Sequence, residues 1–158
     1  MSAAGVPATI LRPVLIYGPG VKGNLARLIG LAGKSWPLPL ALCRNRRSLL
    51  ARRNLVGAIN FALTHPPSGS ETYIVADPQP LTLAEIVTAL RAGLGRAPGL
   101  VPVPPPLIAL AAAAAGRGDD WQRIGGSLVA DPGKLIAAGW KPDVTTREGL
   151  AALTAATH

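Results

Sequence analysis

Cysteine and histidine are nearly missing from this chain of 158 residues, which holds one cysteine, Cys43, and two histidines, His65 and His158. One cysteine cannot form a disulfide within the chain, and it supplies too few thiolates for a cysteine-built zinc site. Two histidines provide almost no candidate residues for a histidine-built metal site or a Ser-His-Asp triad. We therefore expect no metal centre, and we interpret Cys43 as an inert buried thiol.

Acidic and aromatic residues are also scarce. Eight Asp and Glu stand against 16 Lys and Arg, for a net charge of +8, and aromatic residues make up 4% of the chain. A positive field favours anionic partners, such as phosphorylated metabolites, nucleic acids or acidic membranes. Nucleic-acid binding is not expected, because only Trp36 lies near the densest arginine cluster as a stacking platform. The few carboxylates show no pair suited to acid–base catalysis.

Long apolar runs are lacking as well. Residues 1–7 have neither the basic flank nor the apolar run of a secretory signal, and the longest apolar run, Leu107–Ala115, is too short to span a bilayer. Hydrophobic residues nevertheless make up 49% of a chain that is long enough to bury a core. These observations predict a cytoplasmic protein with no membrane association.

Strand and helix patterns alternate along the sequence. The apolar run Ala8–Tyr17 predicts a buried parallel strand, and Asn24 is the predicted N-cap of the helix that follows. Arg47–Ala51 predicts a short strand, with Asn54 as the N-cap of a second helix, and Glu71–Ala76 predicts another strand. This alternation indicates an α/β fold. The strands are few and short, so a complete doubly wound sheet is not expected.

Two helices are predicted to begin with a capping box. Thr82 and Thr145 are each followed three residues later by a glutamate, Glu85 and Glu148. In this motif the threonine hydroxyl accepts a hydrogen bond from the third backbone amide, and the glutamate accepts one from the amide of the threonine. The sequence therefore predicts a helix start at both threonines.

Five arginines fall within ten residues and form the densest charge in the chain: Arg44, Arg46, Arg47, Arg52 and Arg53. One interpretation is a solvated basic loop. The other is a clamp for phosphate or pyrophosphate, since a guanidinium can pair with two phosphate oxygens at once. The glycine-rich stretches Gly30–Ser35 and Gly93–Gly99 follow helical patterns, so we interpret them as helix ends and not as phosphate-binding loops.

Five short segments of the sequence form a series: Ile10–Gly20 (ILRPVLIYGPG), Gly23–Leu25, Asn45–Val56, Thr72–Thr82 and Asp131–Pro142. In order and spacing they resemble motifs of the NAD-dependent epimerase/dehydratase family, the extended short-chain dehydrogenases, and above all its nucleotide-sugar 4-epimerases that act on UDP-hexoses such as UDP-glucose. The resemblance runs from about residue 8 to residue 153. It implies one unit, residues 1–158, made of the C-terminal strands of an extended Rossmann-type sheet and a small α/β substrate-binding subdomain, with the N-terminal NAD-binding half absent.

The resemblance also implies a set of phosphate-binding residues. Asn24 and Arg47 would contact the diphosphate of a nucleotide-sugar. Both are chemically suited to this role, because an amide at a helix start donates hydrogen bonds to an anion and a guanidinium binds phosphate with two donors. Arg123 is implied as a second phosphate contact.

Further residues are implied around the base and the cofactor. Pro13 and Tyr17 would lie near the nicotinamide end of NAD and the substrate pocket. Leu38, in the Pro-rich segment Trp36–Leu40, would flank the uracil of a UDP-sugar. The resemblance implies no metal ligand and no catalytic residue within this chain.

The catalytic elements of the family have no counterpart in this sequence. Its glycine-rich cofactor fingerprint would lie upstream, and no tyrosine here has the lysine four residues later that completes the Tyr-x-x-x-Lys pair. Tyr17 is followed at that spacing by Val21, and Tyr73 by Asp77.

Three further positions depart from the family pattern. Arg53 and Gly57 stand where the family often has aspartate, and Leu15 stands where the classical epimerases have a substrate-contacting asparagine. We therefore predict the substrate-binding half of an NAD-dependent nucleotide-sugar epimerase or dehydratase, not catalytically competent alone. An N-terminal half or a second copy of the chain would be its protein partner. The alternative is a non-catalytic remnant or binding module that pairs with another chain.

Overall fold

The computed structural model describes residues 7–116, 118 and 126–156. Its strands are β1 Thr9–Pro13, β2 Leu15–Tyr17, β3 Arg46–Arg47, β4 Leu49–Ala51, β5 Glu71–Val75 and β6 Leu81–Thr82. Its helices are α1 Gly23–Ala32, α2 Arg52–Thr64, α3 Leu83–Gly93, α4 Pro105–Ala114, α5 Gly133–Ala137 and α6 Thr146–Ala155. The α/β class with few, short strands is thereby confirmed. None of the described helices combines the length and the apolar character needed to cross a bilayer.

The first apolar run supplies strands to two separate parallel pairs. β1 pairs with β5, from Thr9↔Glu71 onwards, and β2 pairs with β4, from Leu15↔Leu49 onwards. The continuous strand expected over Ala8–Tyr17 is thus divided at Val14, whose amide still donates to the Val75 carbonyl at 3.1 Å. The change of partner follows Pro13, which has no amide hydrogen to donate to a ladder.

Strand β4 separates two hydrophobic cores. Because side chains alternate across a strand, Leu49 and Leu50 face opposite sides, and both are fully buried. The core on the Leu49 side is the larger and is formed with α1, α3 and α6. The core on the Leu50 side joins α2, α5 and β5 through residues such as Val75, Leu135 and Trp140.

Both predicted capping boxes are present. The Thr82 hydroxyl accepts from the Glu85 amide at 3.2 Å at the start of α3, and the Thr145 hydroxyl accepts from the Glu148 amide at 3.3 Å before α6. The two helices pack closely at Gly93, where a Cβ would lie 2.0 Å from the Ala151 carbonyl oxygen. Only glycine permits this approach of backbones.

The two asparagines predicted as N-caps lie inside their helices. Helix α1 begins at Gly23 with Lys22 as N-cap, so Asn24 is its second residue. Helix α2 begins at Arg52, because the extended backbone of β4 passes directly into the helix at Ala51. The Asn54 side chain is directed to tertiary partners and does not cap its own helix.

Leu100 and Cys43 lie outside the strands and helices. Leu100 forms one isolated bridge, to Leu38, and the prolines at 102 and 104 are in keeping with the absence of a longer described strand there. Cys43 is buried, as expected, and burial raises the pKa of its thiol.

Candidate functional site

A shallow cleft brings together two of the residues singled out by sequence, Asn24 and Arg47. We call it the Asn24–Arg47 cleft. Its remaining walls are aliphatic side chains from β2, α1, β4 and α3: Leu15, Leu25, Leu28, Leu49, Leu83 and Ile86. The cleft therefore offers one amide and one guanidinium on an otherwise apolar surface, which is the usual composition of a small-molecule site.

The backbone holds both polar residues in place. Gly23 adopts a left-handed φ of +71° at the entry to α1, and Asn24 follows in the first helical turn. Arg47 is held on two sides, since it pairs with Leu81 in the antiparallel β3–β6 ladder and bridges to Leu128. Helix α3 starts directly after β6, which brings Leu83 to the same cleft.

Three glycines connect β2 to α1 with a spacing that the sequence reasoning overlooked. Gly18, Gly20 and Gly23 follow a strand and open a helix, the context in which G-x-G-x-x-G loops approach phosphates. Gly20 has a φ of +80°, so the turn requires a residue without a side chain. Residues 41–46 (ALCRNR) hold no acidic side chain where a dinucleotide fold places its ribose-binding carboxylate. The loop fits a phosphate better than a complete dinucleotide.

A buried polar cluster lies at the carboxyl ends of the parallel strands. Asp77 is fully buried two residues after the end of β5, and it accepts from the Ala51 amide at 3.2 Å and from Asn54 Nδ2 at 2.7 Å. The Tyr17 hydroxyl lies 3.2 Å from both Asp77 Oδ2 and the Thr146 carbonyl oxygen. The cluster thus ties together β2, β4, α2, β5 and α6.

Burial controls the protonation of this cluster. It raises the pKa of Asp77, and hydrogen bonds from Asn54, Ala51 and Tyr17 oppose that rise. Burial and the Asp77 charge also raise the pKa of the Tyr17 hydroxyl far above its usual value. Tyr17 therefore remains a protonated donor, and its hydroxyl is suited to structure and not to proton transfer. Sequence reasoning missed the roles of Asp77 and Asn54.

The other predicted site residues lie elsewhere. Leu38 is buried in the larger core, and its backbone groups bond to Gly99 and Val101. Pro13 is exposed at the end of β1. Arg123 lies outside the described residues. Neither Tyr17 nor Leu38 nor Pro13 lines the Asn24–Arg47 cleft, so their implied contacts with base and cofactor stay predictions.

Arg91 organises the segment that follows α1. Its guanidinium is buried and donates to five backbone carbonyls, at distances of 2.6–3.3 Å: those of Ala32, Lys34, Trp36, Pro98 and Gly99. These bonds attach residues 32–36 to α3 and to the chain leading into Leu100. The Lys34 ammonium lies 5.0 Å from the centre of the exposed Trp36 ring. Among the described residues, no group of three His, Cys, Asp or Glu side chains is placed to hold a metal ion.

Solved structures share this fold. The chain superposes on UDP-N-acetylglucosamine 4-epimerase from Bacillus cereus with a TM-score of 0.67 at 16% identity, covering 97% of this chain and 48% of that one. For UDP-glucose 4-epimerase from Thermus thermophilus, in complex with NAD, the TM-score is 0.59 at 25% identity, covering 94% of this chain and 45% of the other. The fold is thus that of one half of a Rossmann-type epimerase.

Sequence comparison identifies the family. UDP-glucose 4-epimerase from Vibrio cholerae is 34% identical over 148 residues, which make up 92% of this chain and 45% of that protein. No family model matches the sequence. The chain belongs to the NAD-dependent epimerase/dehydratase family and corresponds to the C-terminal half of its members. It spans about half the length of the relatives that it matches.

Proposed function

We propose that this chain is the substrate-binding half of an NAD-dependent nucleotide-sugar epimerase or dehydratase, and that its Asn24–Arg47 cleft binds the diphosphate of a UDP-hexose. The observation that carries the proposal is the convergence of Asn24 and Arg47, 23 positions apart in sequence, on one cleft. The similarity to a UDP-glucose 4-epimerase supports the same class of substrate.

The electrostatics of the cleft favour a diphosphate. The first turn of α1 has no acidic residue and no side-chain cap, so its amides and the positive end of the helix remain available to an anion. Arg47 adds a guanidinium that can bind two oxygens. The net charge of +8 raises the local concentration of anionic ligands.

In the complete enzyme, bound NAD would supply the redox chemistry, which is removal of a hydride from the sugar and its return on the other face. This chain has no Tyr-x-x-x-Lys pair, and its glycine loop lacks the ribose-binding acid. Its own residues therefore bind and orient the substrate. We expect no NAD-dependent epimerisation from the chain alone.

Calorimetric titration of the 158-residue chain with UDP, UDP-glucose and uridine tests the proposal. UDP and UDP-glucose should bind, and uridine should bind much more weakly because it lacks the diphosphate. Replacing Arg47 by Ala should weaken UDP binding about tenfold, the value of a charge-assisted hydrogen bond. Arg12→Ala is the matched control, since Arg12 is exposed on β1 and does not line the cleft. Equal binding of uridine and UDP would refute the proposal.

The exposed apolar surface of the β1–β5 pair favours association with a further polypeptide unit. Among the described strands, β1 is bonded only to β5, and Ile10 and Ile74 are 48% and 41% exposed. Parallel sheets are ordinarily covered on both faces, and an isolated pair of strands is only marginally stable in water. We propose that a counterpart of the relatives' other half, or a second copy of the chain, covers this surface.

Fragment complementation tests that association. The chain is mixed with the N-terminal half of the Vibrio cholerae relative, and UDP-glucose epimerisation is measured with NAD present. Activity that is recovered with the natural chain and lost with an Ile10→Asp/Ile74→Asp variant supports the proposal that the chain is half of an enzyme. Sedimentation as a dimer without activity supports the non-catalytic binding module. A stable monomer that gains no activity contradicts both.

A further inference from the structure

A second and larger cleft lies between α2 and α6, at the carboxyl ends of β2 and β4. Its volume is about 320 Å³, at the lower end of the range for small-molecule pockets, roughly 300–1,000 Å³. It shares no lining residue with the Asn24–Arg47 cleft. The Leu15↔Leu49 pair lines the first cleft, and the Tyr17↔Ala51 pair, two residues further along the same face, lines this one.

The walls of the α2–α6 cleft are aliphatic: Val56, Val144, Ala152, Leu153 and Ala156. Tyr17 and Gly149 meet inside it, and a Cβ at position 149 would lie 2.3 Å from the tyrosine hydroxyl. That hydroxyl is already engaged with Asp77 and Thr146. Tyr17 therefore contributes ring surface to the cleft and no available polar group.

Among the described residues, the charged side chains that line the cleft are positive. Arg52 and Arg53 are exposed residues at its edge, and no acidic residue of the described chain lines it. Arg52 forms no ion pair within the part of the chain that the structure describes. Arg53 pairs with Asp143 at 3.3 Å, but both side chains are at least half exposed, so the pair is weak and exchangeable.

This composition excludes several ligand classes. A sugar or a nucleobase needs many directional polar partners, and their loss on burial is costly. A hydrocarbon without charge would provide no anionic group for the two arginines at the edge of the cleft. A hydrocarbon chain with an anionic end matches both the apolar walls and the positive edge.

We propose that the α2–α6 cleft binds an aliphatic carboxylate of medium chain length. The hydrocarbon chain lies against Val56, Leu153 and Ala156, and the carboxylate meets the Arg52 guanidinium, with Arg53 as a second donor. Among the described residues the site is separate from the Asn24–Arg47 cleft, and binding there does not depend on occupancy of that cleft.

Titration of the 158-residue chain with octanoate, below its micellar concentration, tests the proposal by calorimetry and by amide chemical shifts. We expect saturable binding at one site, with shifts centred on Arg52, Val56 and Ala152. 1-Octanol, which has the same tail without the charge, should bind about fivefold more weakly, as expected for loss of a partly exposed charged hydrogen bond.

Two substitutions address the two halves of the ligand. Arg52→Gln should weaken octanoate binding about fivefold, whereas Arg44→Gln, an exposed arginine that does not line the cleft, should leave it unchanged. Ala156→Phe should abolish binding by filling the cleft. Val56→Glu, at a position that is 52% exposed, should also abolish it and serves as the second variant if Ala156→Phe does not fold.

Three results would overturn the assignment. The first is the absence of saturable octanoate binding. The second is equal weakening by Arg44→Gln and Arg52→Gln, which would indicate a general charge effect. The third is binding that survives both Val56→Glu and Arg52→Gln, which would place octanoate elsewhere on the chain.

Discussion

Asn54 Nδ2 lies 2.7 Å from Asp77 Oδ1 in the interior of the protein, where both residues are at most 1% exposed. The same amide nitrogen donates to the Val144 carbonyl, and the amide oxygen accepts from the backbone of Asp143 and Val144. One side chain therefore connects α2 to the end of β5 and to the loop before α6. Its removal would leave a buried carboxylate and three backbone groups short of partners.

We expect Asn54→Ala to destabilise the fold by about 3 kcal/mol, because buried polar groups that lose their partners retain their desolvation cost. Urea unfolding at neutral pH measures this change. Asn60→Ala is the matched control, since Asn60 is an exposed residue of the same helix. A change below about 1 kcal/mol for Asn54→Ala, the size of an ordinary hydrogen bond, would show that the network is not cooperative.

The raised pKa of Asp77 predicts a specific dependence of stability on pH. An acid with a raised pKa in the folded state binds its proton more tightly when the chain is folded. Its contribution to stability is therefore greatest at pH values below the pKa of the unfolded chain, and it decreases as pH rises through the pKa of the folded chain. Relative to an Asp77→Asn variant, the natural chain should lose stability as pH rises above about 4, the ordinary pKa of this carboxyl.

Denaturant unfolding of both chains between pH 4 and pH 7 checks this sign. Taking the difference between the two chains removes the opposing contribution of Glu85 and Glu148, whose pKa values are lowered by hydrogen bonds from the backbone of Thr82 and Thr145. A difference that grows in favour of the natural chain as pH rises would contradict the assignment of Asp77 as a buried, desolvated acid.

Gly57 offers a route to stabilisation. It lies within α2, and a Cβ there would sit 3.7 Å from Trp140 Nε1, an ordinary van der Waals distance. That indole nitrogen is buried and has no hydrogen-bond partner within the described chain. Gly57→Ala should stabilise by about 0.5–1 kcal/mol through helix propensity. Gly57→Asp should add a hydrogen-bond acceptor for the indole and should therefore be more stable than the alanine variant.

Thermal unfolding of both variants measures the effect. Gly30→Ala in α1 is the control for helix propensity, because a Cβ at position 30 contacts nothing within 4 Å. If Gly57→Asp were less stable than Gly57→Ala, the indole nitrogen would not be the group that gains a partner.

Arg91 is expected to be among the most sensitive positions. Arg91→Met keeps the length of the side chain but removes the guanidinium hydrogen bonds to five carbonyl oxygens, so a loss of about 3 kcal/mol or more is expected. Arg91→Lys should restore little, because an ammonium lacks the planar fork that reaches five acceptors. Chemical unfolding quantifies both. Arg96→Met, at an exposed arginine, should change stability by less than about 0.5 kcal/mol.

Local sequence was sufficient to predict a helix start where the controlling hydrogen bonds join residues only a few positions apart. The capping boxes at Thr82 and Thr145 were predicted because donor and acceptor lie three residues apart, and both are present. The same reasoning failed at Asn54, which has equally good local chemistry for an N-cap. There, hydrogen bonds to residues 23 and 90 positions away outweigh the cap.

The sequence by itself determined the α/β class, the helix starts with capping boxes and the family, because these follow from local propensity and from ordered motifs. The tertiary structure decided which strand each half of Ala8–Tyr17 pairs with, since parallel pairing brings together residues about 34–62 positions apart. It also decided that Tyr17 faces a different cleft from Asn24 and Arg47, two residues that the resemblance had implied as contacts of one diphosphate. Such long-range contacts depend on how the elements pack, and no local pattern specifies them.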